Sequence, residues 1–144
     1  MKKIILGLCL LAIASLTTFA ADPPDTTAIQ GSWTPVKAEL GGQPMPAAIL
    51  KTISLKLTDG KYDVVADNHP DKGTYTLDAG ATPKSITITG TDGPNKGKTF
   101  PSIYELKGDT LIICYDLSGA ARPTEFKTAT GTRFYLVTYM RKKE

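Results

Sequence analysis

The sequence predicts an all-β domain: about eight antiparallel strands in an up-and-down meander that closes into a barrel, with one short helical turn after the first strand. Three observations carry this. Apolar and polar residues alternate with a period of two through most of the chain, as half-buried strands require. Short clusters of Gly, Pro, Asn and Asp separate the alternating runs, and those residues set the backbone of tight turns. No segment between Ile53 and the C-terminus shows a helical period over more than a turn. Consecutive antiparallel strands prefer to be neighbours. Closing such a meander removes both exposed sheet edges, whereas the alternative, an open sandwich, keeps them.

The chain has 144 residues, a length that suits one domain. Residues 1–20 read as an export signal. Lys2 and Lys3 form a basic start, Ile4 to Leu16 an apolar core, and Thr18-Phe19-Ala20 a cleavage site with small residues at the two positions that matter. The apolar run falls short of the roughly 20 residues of a membrane span. Cys9 lies inside the apolar core, too early for a lipid-anchor site. Removing Lys2 and Lys3 lowers the formal charge from +3 to +1. The mature chain then has no basic stripe to bind nucleic acid and no integral membrane segment. It keeps one cysteine, Cys114, so it can form no internal disulfide.

Residues 21–28 (ADPPDTTA) are polar and proline-containing and read as a flexible lead-in to a domain spanning 29–144. Trp33 to Leu40 is the first strand. Val36, Ala38 and Leu40 share one face and Trp33 the other, and Pro35 between them marks a bulge or break. Gly41 to Pro46 is a turn, and Ala47 to Lys51 suits one helical turn behind Pro46. Ile53, Leu55 and Leu57 face inward, Asp59-Gly60 is a hairpin signal, and Tyr62, Val64 and Ala66 return on the same face. Asp67 to Asp71 reads as the next turn, followed by Gly73, Tyr75 and Leu77 inward. After a turn at residues 79–83, Ile86 and Ile88 alternate with polar residues. Gly90 to Lys98 is the longest hydrophilic loop, read as a flexible rim. Ser102 to Leu106 and Thr110 to Asp116 are joined by Gly108-Asp109, and Arg133 to Arg141 is an aromatic-rich last strand.

Gly31-Ser32-Trp33 resembles the G-x-W signature of lipocalins. Almost the whole mature chain resembles a family of uncharacterised exported domains of planctomycete type. The segments that carry this are Ile29 to Trp33, Thr91 to Lys98, Ile103 to Leu106, Gly108 to Leu111, Cys114 and Arg122 to Phe126. The resemblance implies a lipocalin-like barrel and no activity. The chain departs from lipocalins in its shorter length, in having no long C-terminal helix and in lacking their disulfide pair.

No catalytic constellation emerges, and the chain does not read as an enzyme. The only histidine, His69, lies in a polar turn with no nucleophile motif to serve. One histidine and one mature cysteine cannot supply a zinc set unless carboxylates or a second chain complete it. No cofactor is expected. The scattered aspartates suit turn chemistry, and Cys114, among Ile112, Ile113 and Tyr115, reads as a buried small hydrophobe. Arg122 and Glu125 read as an ion pair bracing a late loop, or as a polar contact at the barrel mouth.

Two functions remain open. The first is a binding module holding a small apolar or amphipathic molecule, with Tyr62, Tyr75, Tyr104 and Tyr115 as its interior residues. The second is a solid-cored interaction module that contacts a protein, polysaccharide or envelope partner. An eight-stranded barrel is just wide enough for either. In a closed meander the first strand pairs with the last, antiparallel, so the start of one lies beside the end of the other. That geometry brings Arg141 to the Trp33 indole, where a guanidinium can stack; lipocalin-like barrels close one end in the same way. The alternative leaves Arg141 as the first residue of a charged tail.

Overall fold

A computed structural model describes residue 21 and residues 23–143; the export-signal assignment lies outside them. The elements in order are helix α1 (Asp25–Ala28), strands β1 (Gly31–Leu40) and β2 (Gln43–Pro44), helix α2 (Ala47–Leu50), and strands β3 (Ile53–Thr58), β4 (Lys61–Ala66), β5 (His69–Asp78), β6 (Ser85–Asp92), β7 (Thr99–Lys107), β8 (Thr110–Asp116) and β9 (Phe134–Arg141). Each strand from β3 onward pairs antiparallel with the next. β1 pairs with both β3 and β9, which closes an eight-stranded barrel, and the two-residue β2 is an extra strand on the end of β1.

The turn chemistry fixes this meander. At the β3–β4 hairpin Asp59 and Gly60 have φ of 49° and 76°. Two successive positive values give the turn whose twist matches antiparallel strands, and Gly and Asp tolerate them. Asp67 and Asn68 repeat the pattern at φ 48° and 62°. The turn expected over Asp67 to Asp71 is therefore only two residues long, and β5 starts at His69, paired with Ala66. This shorter turn puts Asp71 in the same inward-facing series as Gly73, Tyr75 and Leu77.

In β1 the register against β9 slips between Pro35 and Lys37, so one residue is extruded. Trp33, Pro35 and Ala38 are buried, while Val36 is 54% and Leu40 43% exposed. The expected bulge is present, and it corrects the expected face: Val36 is the extruded residue and Leu40 reaches the rim. The core runs through the barrel, with Ile29, Trp33, Leu111, Ile113 and Val137 essentially inaccessible.

Residues 25–28 form a helical turn and not a flexible lead-in. The reason is specific bonding. Asp25 Oδ2 accepts hydrogen bonds from Tyr104 Oη at 2.7 Å and Lys84 Nζ at 2.8 Å, and Arg141 holds the carbonyl of Ala28. α1 thereby covers the end of the barrel where β1 starts and β9 stops. Among the described residues no helix is long and apolar enough to cross a membrane.

Candidate functional site

The two ends of the barrel differ. At the end covered by α1, Trp33 pairs with Arg141 across β1 and β9. The indole N–H donates to the Ile29 carbonyl at 2.9 Å. The Arg141 guanidinium carbon lies 4.3 Å from the ring centroid. Its Nη1 donates to the Gln30 carbonyl and its Nη2 to the Ala28 carbonyl, both at 2.6 Å, while Nε pairs with Asp109 at 3.1 Å. Tyr104, expected in the binding interior, belongs to this packed end and does not line the cavity. Its hydroxyl is spent on Asp25, and burial together with that carboxylate raises its pKa well above the ordinary tyrosine value.

The other half of the barrel holds a cavity of about 190 Å³. Its walls are mostly aliphatic, from β3, β4, β6 and β8, with tyrosines set among them. Five of the six tyrosines line it: Tyr62, Tyr75, Tyr115, Tyr135 and Tyr139. Three of these were expected. Tyr135 and Tyr139 were not, although they alternate with the buried Val137 on the last strand; that parity was the available signal. Tyr115 and Tyr135 stack at 5.5 Å, and the Tyr115 and Tyr139 hydroxyls share a 2.9 Å hydrogen bond. Burial pushes both phenols far above their ordinary pKa. The Tyr75 hydroxyl is buried without a hydrogen-bond partner.

Among the described residues one carboxylate reaches this cavity. Asp71, only 8% exposed, accepts from Tyr62 Oη at 3.1 Å, from the Asn95 amide N–H at 3.1 Å and from Asn95 Nδ2 at 2.8 Å. Two glycines allow the convergence. A Cβ on Gly73 would lie 2.5 Å from the Tyr62 ring and 2.0 Å from the Thr89 carbonyl oxygen. One on Gly90 would lie 1.9 Å from the Asn95 carbonyl oxygen. Without side chains there, Tyr62 passes close over β5 and the 93–98 loop folds back against β6. That loop, expected to be a flexible rim, is thus tied to the cavity wall. Turn chemistry is the sequence expectation for Asp71; the early start of β5 at His69 puts Asp71 on its inward face and makes it an interior group.

The remaining sequence candidates serve the frame. Arg122 makes no pair with Glu125. Its Nη1 donates to the carbonyls of Ile86 at 3.0 Å and Ser102 at 2.6 Å, and its Nη2 donates to Thr87 Oγ1 at 2.9 Å, clamping β6 to β7. Glu125 faces Lys127 at 3.7 Å, with both side chains exposed. A guanidinium gains more from fixed strand carbonyls than from a mobile surface carboxylate. Cys114 is fully buried, with burial raising its thiol pKa. His69 is an exposed residue at the start of β5. Among the described residues no group of three His, Cys, Asp or Glu side chains is placed to hold a metal ion.

No protein-family model matches the chain, and no curated protein matches it. Among solved structures, a DUF4847 family protein from Bacteroides vulgatus is similar, with a TM-score of 0.50 at 13% identity over 83% of this chain and 98% of that one. At that identity the likeness is one of fold. DUF4847 is an uncharacterised family, so the likeness brings no activity with it. The lipocalin and planctomycete resemblances expected from the sequence are carried by none of these findings.

Proposed function

We propose that this is an exported, lipocalin-like binding domain that holds one small, largely apolar molecule in the half of the barrel away from α1. The observation that carries the reading is the cavity of about 190 Å³ among Leu55, Val64, Ile88, Ile113 and the tyrosines. A barrel of eight strands either fills itself or holds one small ligand. An apolar cavity of about 150 Å³ accommodates a benzene-sized molecule, so this one suits a ligand little larger than a substituted benzene. The walls supply apolar contact, and a few fixed polar groups supply orientation.

Mass spectrometry of organic extracts from the protein purified from its native host tests the reading. One small molecule recovered at one per chain is the expected result. An empty extract, together with no binding of neutral or charged single-ring probes in calorimetry, would overturn it in favour of the interaction module acting through loops and outer face. Intact mass of the recovered protein tests export: the expected N-terminus is Ala21, and retained Met1 on the exported form contradicts it.

A further inference from the structure

We propose that the cavity selects an organic cation: a small primary amine with an aromatic or compact apolar body, its ammonium on Asp71. This rests on the binding reading above and names the ligand class.

Asp71 is the reason. A buried carboxylate is costly unless it is paired and hydrogen-bonded. Asp71 is hydrogen-bonded by Tyr62 and Asn95, all neutral donors. The ion pairs among the described residues join Asp63 to Lys72, Asp25 to Lys84, Glu105 to Lys107, Glu125 to Lys127 and Asp109 to Arg141, and Asp71 takes part in none of them. Among the described residues it therefore has no cationic partner on the wall of a mostly apolar cavity. A carboxylate has about four acceptor positions. Oδ2 receives two donors and Oδ1 one, so Oδ1 keeps a position for a further donor.

The rest of the wall agrees in sign. Aromatic rings present a negative face to a cation, and Tyr62, Tyr115 and Tyr135 stand around the cavity. Their hydroxyls are neutral at physiological pH, and burial raises them further. Among the described residues no cationic side chain lines the cavity. A fatty acid, a phosphate or another anion would meet Asp71 with nothing to offset the repulsion. The cavity volume confines the body of the ligand to about one ring.

Calorimetry with benzylamine, benzyl alcohol and benzoate on the folded domain tests this, because the three share a ring and differ in charge. The expected order is benzylamine about tenfold or more tighter than benzyl alcohol, the scale of a charge-assisted hydrogen bond, at one per chain, with benzoate unbound. Asp71→Asn keeps the size and removes the charge, at the loss of at least one hydrogen bond from Tyr62 or Asn95, so benzyl alcohol should still bind while the amine preference collapses. The order in the unmutated protein stands even if that variant fails to fold. Benzyl alcohol binding as tightly as benzylamine overturns the selection of a cation and leaves the binding reading intact. A folded Asp71→Asn domain that keeps the preference also overturns the proposal. Binding of none of the three overturns the selection, and with an empty extract it overturns the binding reading as well.

Discussion

Arg141 lies 4.3 Å over the Trp33 ring, and the same guanidinium donates to the carbonyls of Ala28 and Gln30. One side chain on the last strand thus ties the first strand and the segment before it to the end of the barrel. Arg141→Ala removes the stacking and two charge-assisted bonds, so an expected loss of about 2 to 4 kcal/mol follows. Trp33→Ala should cost about 3 to 5 kcal/mol, the scale for emptying a buried aromatic site. A double-mutant cycle by denaturant unfolding isolates the pair. A coupling energy near zero would show that the stacking contributes nothing of its own.

The Asp25 latch makes stability depend on acid. Hydrogen bonds from Lys84 and Tyr104 hold the Asp25 carboxyl below its ordinary value of 3.8 against the opposing effect of burial. A depressed carboxyl contributes stability that is fully present above the unfolded value and is lost as pH falls through the folded one. Asp25→Asn should therefore cost about 1 to 2 kcal/mol at pH 6 or so, and the gap to the unmutated protein should close below about pH 4. Asp116 is also held low, since amide and hydroxyl donors from Ser118, Ala120 and Ala121 outweigh its burial. The difference between the two proteins cancels that shared contribution. A gap that does not change with pH would remove the charge from the account.

Gly73→Ala should be among the most damaging single changes, at about 3 kcal/mol, because the new methyl meets both the Tyr62 ring and the Thr89 backbone. Gly80→Ala is the control. Its Cβ would approach nothing closer than Asp78 Oδ1 at 3.4 Å, so a change within about 0.5 kcal/mol is expected. Thermal unfolding of the two variants ranks them, and equal midpoints would refute the close approach at Gly73.

Cys114 has a fully buried thiol that donates to the Lys127 carbonyl at 3.7 Å. Burial raises its pKa, which keeps it in the unreactive thiol form. A thiol reagent should label the native protein far more slowly than the unfolded one, and Cys114→Ala should cost about 1 kcal/mol in packing. Labelling at the rate of an exposed cysteine would contradict both.

The strands and their order were legible because a period-2 pattern and two-residue turns are local signals. Asp59-Gly60 sets its own hairpin, and the bulge at Pro35 announces itself by a change of parity in Trp33 and Ala38. Closure was legible as well, since antiparallel order alone brings Arg141 beside Trp33. The interior was only partly legible. Parity says that Tyr62, Tyr104 and Tyr135 point inward, but not how far along the barrel each ring travels or what its hydroxyl finds. Tyr104 meets Asp25, a residue 79 positions away in the sequence, and fills the closed end. Tyr62 passes over Gly73 to Asp71, which Asn95 reaches from a loop 24 positions on. Partners at such separations leave no periodic trace; only the closed barrel brings them together. Local backbone preference determined the elements and their sequence of pairing, whereas long-range packing decided which polar groups face the cavity and which are spent holding the barrel shut.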